Sequence, residues 1–328
     1  LKPGYVDAQV NLGTTLNAAG RKDEALVLLF NAVAANPTTT PLRQLLAAML
    51  QGVVLHTGNA VVREVLRLLC TDDTTSAQSL AGAILGLVKG SPAFPLLLAA
   101  ATNDSDPFVV VESAARTLMN DALLITGLPR FIVWDADVEH VLTLMRRWIL
   151  RRAMRNEPGV EPDATVPTAF LCALAGQCGN MEYAFEVHED ERLAILRLRD
   201  VLADALTLTH LSPTALEPSL TLYALYGPLH EIAGWDRLLD VSTSAWTEPF
   251  QPLIREQVIE YQAERAIAAQ LASLTPVADA KSHRVRDMYE TNPYPRWVAV
   301  PQPRVIGVRD FLRTLRADDA LPTSNTSI

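Results

Sequence analysis

One run of polar residues, His188-Glu189-Asp190-Glu191-Arg192, has the residue types of a metal-dependent hydrolase. The zinc motif that begins with His-Glu needs a second histidine on the same helix face, and that histidine is absent here. The six histidines are scattered without a ligand-like pair, at positions 56, 140, 188, 210, 230 and 283. Acidic residues at a helix start complement the helix dipole. We therefore predict that this run begins a helix and that the chain binds no metal.

The residue types of covalent catalysis are present without the spacing that catalysis needs. Cysteines lie at positions 70, 172 and 178, and the six-residue step between the last two puts them on different helix faces. No Gly-x-Ser-x-Gly elbow, phosphate-cradling Gly-Lys-Ser/Thr loop or Cys-x-x-Cys pair occurs. We expect reduced thiols and no hydrolase, nucleotidase or dithiol-redox function. An enzyme within this chain would need a convergent polar pocket that the sequence does not show.

Basic residues concentrate in one predicted helix, at Arg146, Arg147, Arg151, Arg152 and Arg155. Two interpretations are open. The arginines can form a solvated face that complements the C-terminal end of the helix. Alternatively, they can dock an acidic segment, including one of the same protein, because a guanidinium group pairs bidentately with a carboxylate.

The composition is that of a globular protein, with 328 residues of which 49% are hydrophobic and 20% charged. A net charge of −9 disfavours nucleic acid and anionic membranes as partners, because both would repel an acidic chain. No signal peptide opens the sequence, and the longest apolar runs are too short to span a bilayer. We expect a cytoplasmic protein with neither nucleic-acid nor membrane partners. Since the sequence begins at Leu1 and not at a methionine, we also expect it to be part of a longer product.

The first residues have the spacing of one tetratricopeptide repeat, a helical hairpin. The matching positions are Gln9, Leu12, Gly13, Leu16, Ala25, Leu29 and Pro37. The small residues Gly13 and Ala25 let the two helices approach closely, and Leu12, Leu16 and Leu29 are expected to fill the seam between them. Pro3 precedes Pro37 by one full period, which indicates that the repeat array continues upstream.

The first helix also carries a second, less apolar stripe formed by Asp7, Val10, Thr14 and Asn17. In tetratricopeptide repeats the corresponding face lines the concave groove that binds peptides. These four residues are therefore the candidate partner-binding site for a peptide or protein ligand. Ordinary solvent exposure of the same stripe is the alternative.

Helical periodicity continues along the rest of the chain and alternating strand patterns are scarce, so we predict an all-α fold. Helices are predicted at 42–55, 59–69, 77–88, 107–124, 137–154, 167–178, 189–208, 212–225, 248–272, 280–290 and 308–315. Asn59, Thr75 and Asp135 are the predicted N-caps. We divide the chain into the end of a tetratricopeptide-repeat array (1–37), a helical solenoid continuation (38–157), an all-helical connector domain (158–276), and a linker motif with a tail that leads to a missing domain (277–328).

Several segments in the second half of the chain resemble one known family. They lie at 170–174 with Gln177-Cys178 and Glu182-Tyr183, at 226–230, and at 285–297, which reads Val-Arg-Asp-Met-Tyr-Glu-Thr-Asn-Pro-Tyr-Pro-Arg-Trp. Together with the repeat at 4–37, they resemble bacterial tetratricopeptide-repeat proteins that carry a class I S-adenosylmethionine-dependent methyltransferase domain. The likeness covers most of residues 160–300, and the tyrosine- and proline-rich segment is its most specific part.

The resemblance implies a methyltransferase domain after the last of these segments, opening with a strand and a glycine-rich turn that holds the cofactor. This chain has no such turn, and Gly307 is its only glycine after Gly234. We therefore expect no cofactor in this chain, with S-adenosylmethionine bound by the parent protein. The resemblance also implies an interdomain motif that packs on the methyltransferase domain and helps close its cofactor pocket. The motif residues are Arg286, Tyr289, Asn292, Tyr294, Arg296 and Trp297.

These observations predict a non-catalytic protein- or substrate-recognition region of a repeat-containing methyltransferase. The alternative is a stand-alone helical-repeat scaffold for protein interactions, without enzymatic activity.

Overall fold

The computed structural model describes residues 5–102, 111–155, 161–271 and 280–291, and these residues form helices and loops without a β-strand. Their α-helices are α1 (Val6–Ala18), α2 (Lys22–Ala35), α3 (Thr40–Leu50), α4 (Ala60–Cys70), α5 (Ala77–Lys89), α6 (Ala93–Thr102), α7 (Val111–Met119), α8 (Ala122–Gly127), α9 (Ala136–Arg155), α10 (Thr168–Asn180), α11 (Glu189–Leu206), α12 (Pro213–Tyr223), α13 (Gln251–Ile254), α14 (Tyr261–Ala268) and α15 (Ala280–Thr291). The predicted all-α class is confirmed. The helix predicted at 308–315 lies outside the described residues.

α1 and α2 form a hairpin whose close approach depends on Gly13. A Cβ atom placed on Gly13 would lie 3.1 Å from Leu29 Cδ2, and Leu29 and Ala25 are fully buried. Gly20 turns the chain with a φ of +77°, which glycine adopts without strain. The expectation that Leu12 fills the seam is wrong, since Leu12 is 37% exposed. One residue along an α-helix is a rotation of about 100°, which carries Leu12 away from the face that Gly13 turns towards α2.

Neighbouring and alternate helices pack on one another through the first part of the chain. α1 contacts α2 and α3, α2 contacts α3 and α4, and α5 contacts α3, α4 and α8. Further on, α6 packs against α7 and α9, α10 against α8 and α12, and α11 against α9 and α12. The buried residues form one hydrophobic core that extends from Ala25 to Val258. The core includes residues on both sides of position 157, and the domain division at that point stays a prediction.

Two of the three predicted N-caps have the expected hydrogen bonds. The Asn59 side chain accepts from Val62 N at 3.0 Å, and Asp135 Oδ1 accepts from Val138 N at 3.2 Å. The prediction for Thr75 is wrong, because Ser76 precedes α5. The Thr75 hydroxyl instead donates to Leu69 O at 2.6 Å and so occupies a carbonyl at the end of α4.

The helix predicted at 107–124 is interrupted within its described part. Asp121 separates α7 from α8, and its Oδ1 accepts hydrogen bonds from Leu123 N at 3.0 Å and Leu124 N at 3.2 Å. An aspartate that caps the next helix in this way has a non-helical backbone conformation, so the preceding helix ends.

The long helix predicted at 248–272 contains a π-helix, Arg255–Glu260, between α13 and α14. Gln257 in the π-helix is buried, and its Oε1 accepts a hydrogen bond from Leu229 N at 3.0 Å. Tyr261 follows the π-helix and stacks on His230, with 3.6 Å between the ring centroids. Gln257 and Tyr261, four positions apart on one face of this helical segment, thus contact the consecutive residues Leu229 and His230.

No single helix in the described ranges is long and apolar enough to cross a lipid bilayer. α5 and α6 meet the criteria of length and composition only as a pair, and they are bent by 91° at the break between them.

Candidate binding groove

The four candidate partner-binding residues of α1 lie at the surface of the hairpin. Asp7, Thr14 and Asn17 are exposed, and Val10 is half-buried against the core. The Thr14 hydroxyl donates to Val10 O at 2.8 Å, within the same helix. None of the four lines the groove described below. Their part in partner binding stays a prediction.

Only the first part of the predicted interdomain motif falls within the described residues. Arg286 and Tyr289 lie on α15, and the Arg286 side chain is exposed. Asn292, Tyr294, Arg296 and Trp297 lie outside the described residues. The helix predicted at 280–290 is confirmed as α15, and the packing of the motif on a further domain stays a prediction.

A non-helical segment at 53–56 runs along α5 over a row of three glycines. Gly82, Gly86 and Gly90 recur at every fourth residue and therefore share one face of the helix. Cβ atoms on these three positions would lie 2.9 Å from Val53 O, 2.5 Å from Leu55 O and 2.5 Å from His56 O, respectively. Because a side chain of any size would collide with this backbone, glycine is required for the segment to lie here. The segment forms the first wall of a groove.

A second non-helical segment, at 131–135, forms the opposite wall and is fixed at both ends of α5. The Gln78 side chain accepts from Ile132 N at 2.7 Å and donates to Ile132 O at 3.1 Å. At the other end, Lys89 Nζ lies 2.9 Å from Asp135 Oδ2 and 2.7 Å from Asp137 Oδ2. Burial by itself lowers the pKa of Lys89, but hydrogen bonds to Asp137 and Asp135 outweigh it and hold that pKa above its ordinary value. Lys89 is therefore a cation at neutral pH.

Between the two walls lies an open groove of about 900 Å³. Its floor is apolar, with Ala81 and Leu85 of α5 and Ala47 of α3 all buried. Val54 on one wall is 54% exposed, and Trp134 on the other is 70% exposed. Most of the remaining lining is polar and formally uncharged, namely Gln44, Gln51, His56, Thr74, Thr75, Ser76, Gln78 and Ser79.

The peptide groups of the two walls have unused hydrogen-bonding capacity. Within the part of the chain that the structure describes, the N–H and C=O groups of Val54 and Trp134 and the N–H group of His56 make no hydrogen bond, while His56 O lies against Gly90. The side-chain amides of Gln44 and Gln51 make none either within these ranges. Unpaired main-chain groups in non-helical segments can pair with the backbone of an added strand. The groove therefore combines an apolar floor with hydrogen-bonding edges.

Arg147, Arg151 and Arg152 of α9 pair with acidic residues of this chain. Arg151 lies 2.7 Å from Asp190 at the start of α11, and Arg152 lies 2.7 Å from Asp163. Arg146 is only 1% exposed, so the interpretation as a solvated face is wrong for this residue. The run at 188–192 begins α11 as predicted. Its Asp190 supplies the carboxylate for Arg151, which agrees with the alternative interpretation that these arginines dock an acidic segment.

The three cysteines are buried free thiols. Burial raises the pKa of Cys70 to about 11, that of Cys172 to about 12 and that of Cys178 to about 11. Thiols with these pKa values are protonated at neutral pH and are poor nucleophiles. No cluster of His, Cys, Asp and Glu residues that could hold a metal ion occurs in the described ranges.

The chain matches no protein-family model, no curated protein and no solved structure. The groove is therefore interpreted from its own residues and geometry.

The interpretation of the sequence missed this groove, although two signals of it are present. The first is the recurrence of glycine at every fourth residue in a predicted helix, which indicates close approach of another backbone. The second is Trp134, which lies immediately before the predicted cap Asp135 and outside any predicted helix. Neither signal identifies the segment that approaches α5, because the contacts join residues far apart in sequence.

Proposed function

We propose that this chain is a non-catalytic recognition module whose groove between α3 and α5 binds an extended polypeptide segment of a partner protein. One observation carries the proposal: non-helical segments with unpaired peptide groups and exposed side chains border an apolar floor on two sides. A peptide strand that enters such a groove can form main-chain hydrogen bonds at its edges and bury side chains against the floor.

The lining chemistry supports a polypeptide as the ligand. Ala47, Ala81 and Leu85 offer apolar surface for alternate side chains of a strand. Gln44 and Gln51 offer amide donors and acceptors that match a peptide backbone. Because most of the lining is uncharged, the groove lacks the cluster of basic groups that a phosphate-rich ligand would need.

The packing order supports a helical solenoid of the tetratricopeptide type in the first part of the chain. α1 contacts α3, and α3 contacts α5, so these three alternate helices form one layer. The predicted stripe of Asp7, Val10, Thr14 and Asn17 lies on the first helix of that layer. We therefore include this stripe in the proposal, as an extension of the peptide-binding surface beyond α3.

The proposed link to a methyltransferase depends on the sequence resemblance of residues 160–300. In that proposal the module brings a partner or substrate to a domain that binds S-adenosylmethionine, whereas in the alternative it is a stand-alone scaffold. Calorimetry of this chain with S-adenosylmethionine should show no binding, because no glycine-rich turn is present to hold the cofactor. The coding sequence beyond residue 328 separates the two, since a glycine-rich strand-turn-helix there supports the methyltransferase and a stop codon supports the scaffold.

A random-peptide library displayed on phage tests the groove. The blocking variant is Ala48→Trp, because Ala48 is an exposed residue of α3 that lines the groove. The matched control is Ala34→Trp, an equal substitution at an exposed position of α2 outside the groove. We expect selected peptides to bind the wild-type chain and the control, and to lose binding to Ala48→Trp. Failure to select any peptide, or equal binding to Ala48→Trp, would overturn the proposal.

A further inference from the structure

Trp134 presents a large aromatic surface at the edge of the groove. Its side chain is 70% exposed, although the indole is among the side chains that gain most from burial. In the part of the chain that the structure describes, no other ring and no cationic side chain stacks on it. Its position is nevertheless defined, because Ile132 is clamped by Gln78 and Asp135 by Lys89. The backbone that carries the indole is thus held in place, and the indole itself is exposed.

The charges next to Trp134 do not balance. Asp135, which lines the groove, and Asp137, next to it at the start of α9, share a single cation, Lys89, which leaves a net charge of −1 on these three side chains. The Asp137 side chain is 48% exposed, and its Oδ1 atom accepts no hydrogen bond from the described residues. Asp135, in contrast, already accepts a hydrogen bond from Val138 N at the N-terminus of α9. Asp137 is therefore the carboxylate that remains accessible to a ligand.

From these observations we infer that the extended segment in the groove carries a basic side chain, arginine above lysine, that lies on the Trp134 indole and pairs with Asp137. This inference rests on the proposed peptide-binding function of the groove. A planar guanidinium group stacks on an indole face and still directs its N–H groups sideways to a carboxylate. The net charge of −9 on the whole chain adds a long-range attraction for a basic partner.

The same chemistry excludes other partners at this end of the groove. An acidic segment would place a like charge beside Asp137 and is expected to be rejected. A nucleic-acid backbone would meet the same repulsion, so we assign the basic group to a protein segment. Specificity should therefore arise at one position of the bound peptide, while main-chain pairing along the walls contributes to affinity for any sequence.

The test uses peptides selected on the wild-type chain and compares versions in which a single position holds arginine, lysine, citrulline or glutamate. Citrulline keeps the planar shape of arginine and lacks its charge. Fluorescence anisotropy should show arginine peptides binding about tenfold more tightly than citrulline peptides, and glutamate peptides more weakly still. This preference should weaken as the salt concentration rises, because part of it is electrostatic.

Two variants test whether Trp134 and Asp137 cause the preference for arginine over citrulline. Trp134→Ala and Asp137→Asn should each remove most of the advantage of arginine over citrulline while retaining binding of the citrulline peptide. The matched controls are Tyr5→Ala, an exposed aromatic residue of similar accessibility, and Asp73→Asn, an exposed acid outside the groove. Both controls should retain the full preference.

The outcomes separate this inference from the function on which it rests. If peptides bind and Ala48→Trp removes their binding, but arginine has no advantage, the groove function stands and the basic-residue inference is wrong. An arginine preference that survives both Trp134→Ala and Asp137→Asn also contradicts the inference. If no peptide binds the wild-type chain, both the function and the inference are overturned.

Discussion

The guanidinium group of Arg146 lies over the ring of Tyr226, with 4.3 Å between Cζ and the ring centroid. Arg146 also donates to Glu186 O at 2.6 Å and to Leu225 O at 3.3 Å, while the Tyr226 hydroxyl donates to Glu191 Oε1 at 2.7 Å. These contacts join α9, the start of α11 and the loop after α12 through one buried polar network. Hydrogen bonds of a charged group contribute more to folding stability in such a buried network than at the surface.

Replacing Arg146 should therefore destabilise the protein strongly. We expect Arg146→Met to lower the free energy of unfolding by about 3 kcal/mol, because it leaves buried carbonyl oxygens without their charged donor. Arg151→Met on the same helix is the control. Its side chain is 32% exposed and paired with Asp190 at the surface, so its loss should cost less than about 1 kcal/mol. Urea denaturation measures both, and equal losses would contradict the buried network.

The close approach of α1 and α2 at Gly13 leads to a second prediction about stability. Gly13→Leu should lower the free energy of unfolding by about 2 kcal/mol, because its side chain would enter the space held by Leu29. Ala18→Leu, at an exposed position of the same helix, should have little effect. A thermal melt of the two variants checks this, and an unchanged Gly13→Leu melting temperature would refute the assigned close approach.

The α1–α2 hairpin and the groove show which contacts could be predicted from the sequence and which could not. Gly13, Ala25 and Leu29 were placed correctly because repeat spacing fixes which residues of a hairpin face each other. The outward direction of Leu12 was missed, since an apolar residue beside the seam has the same sequence signature as one within it. The groove was missed for a different reason: the predicted helix 42–55 wrongly included 53–55, since α3 ends at Leu50, and no periodicity predicts the long-range contacts that 53–56 and 131–135 make with α5 or its ends.

Replacing a helical glycine by alanine should affect stability differently in α5 and in α10. Gly86→Ala should lower the free energy of unfolding by about 2 kcal/mol, because its Cβ would lie 2.5 Å from Leu55 O. Gly179→Ala in α10 should be neutral or stabilising by up to about 1 kcal/mol, because its Cβ would meet nothing closer than 3.6 Å. Chemical denaturation distinguishes them, and a stabilising Gly86→Ala would show that 53–56 does not lie on the helix.

Asp163 should make stability depend on pH in the acidic range. Hydrogen bonds from Thr165, together with Arg152, lower the pKa of its carboxyl group to about 2. Because the folded-state pKa is depressed, the stabilisation is complete above the unfolded pKa of about 4 and is lost as pH falls from there towards 2. Asp163→Asn should therefore cost about 2 kcal/mol at neutral pH and progressively less below pH 4. Urea denaturation across this range tests it with Asp73→Asn as control, and a cost independent of pH would refute it.

The cysteines give a chemical test of the core. Cys70, Cys172 and Cys178 are buried and have raised pKa values, so they should react with a thiol reagent such as iodoacetamide only when the chain unfolds. Mass spectrometry after labelling in buffer should show the unmodified chain, and labelling in urea should modify all three thiols. Rapid modification of any cysteine in the native protein would show that its part of the core opens.

The π-helix Arg255–Glu260 makes the length of this segment as important as its composition. Removing one residue would return the segment to regular α-helical winding, rotate everything after it by about 100° and shift it by about 1.5 Å. If the residue removed lies between Gln257 and Tyr261, the two side chains move relative to each other, and the hydrogen bond to Leu229 and the stacking on His230 cannot both keep their geometry. Among sequences that share this fold, gaps should therefore be excluded from 255–260, even where individual residues in it vary freely.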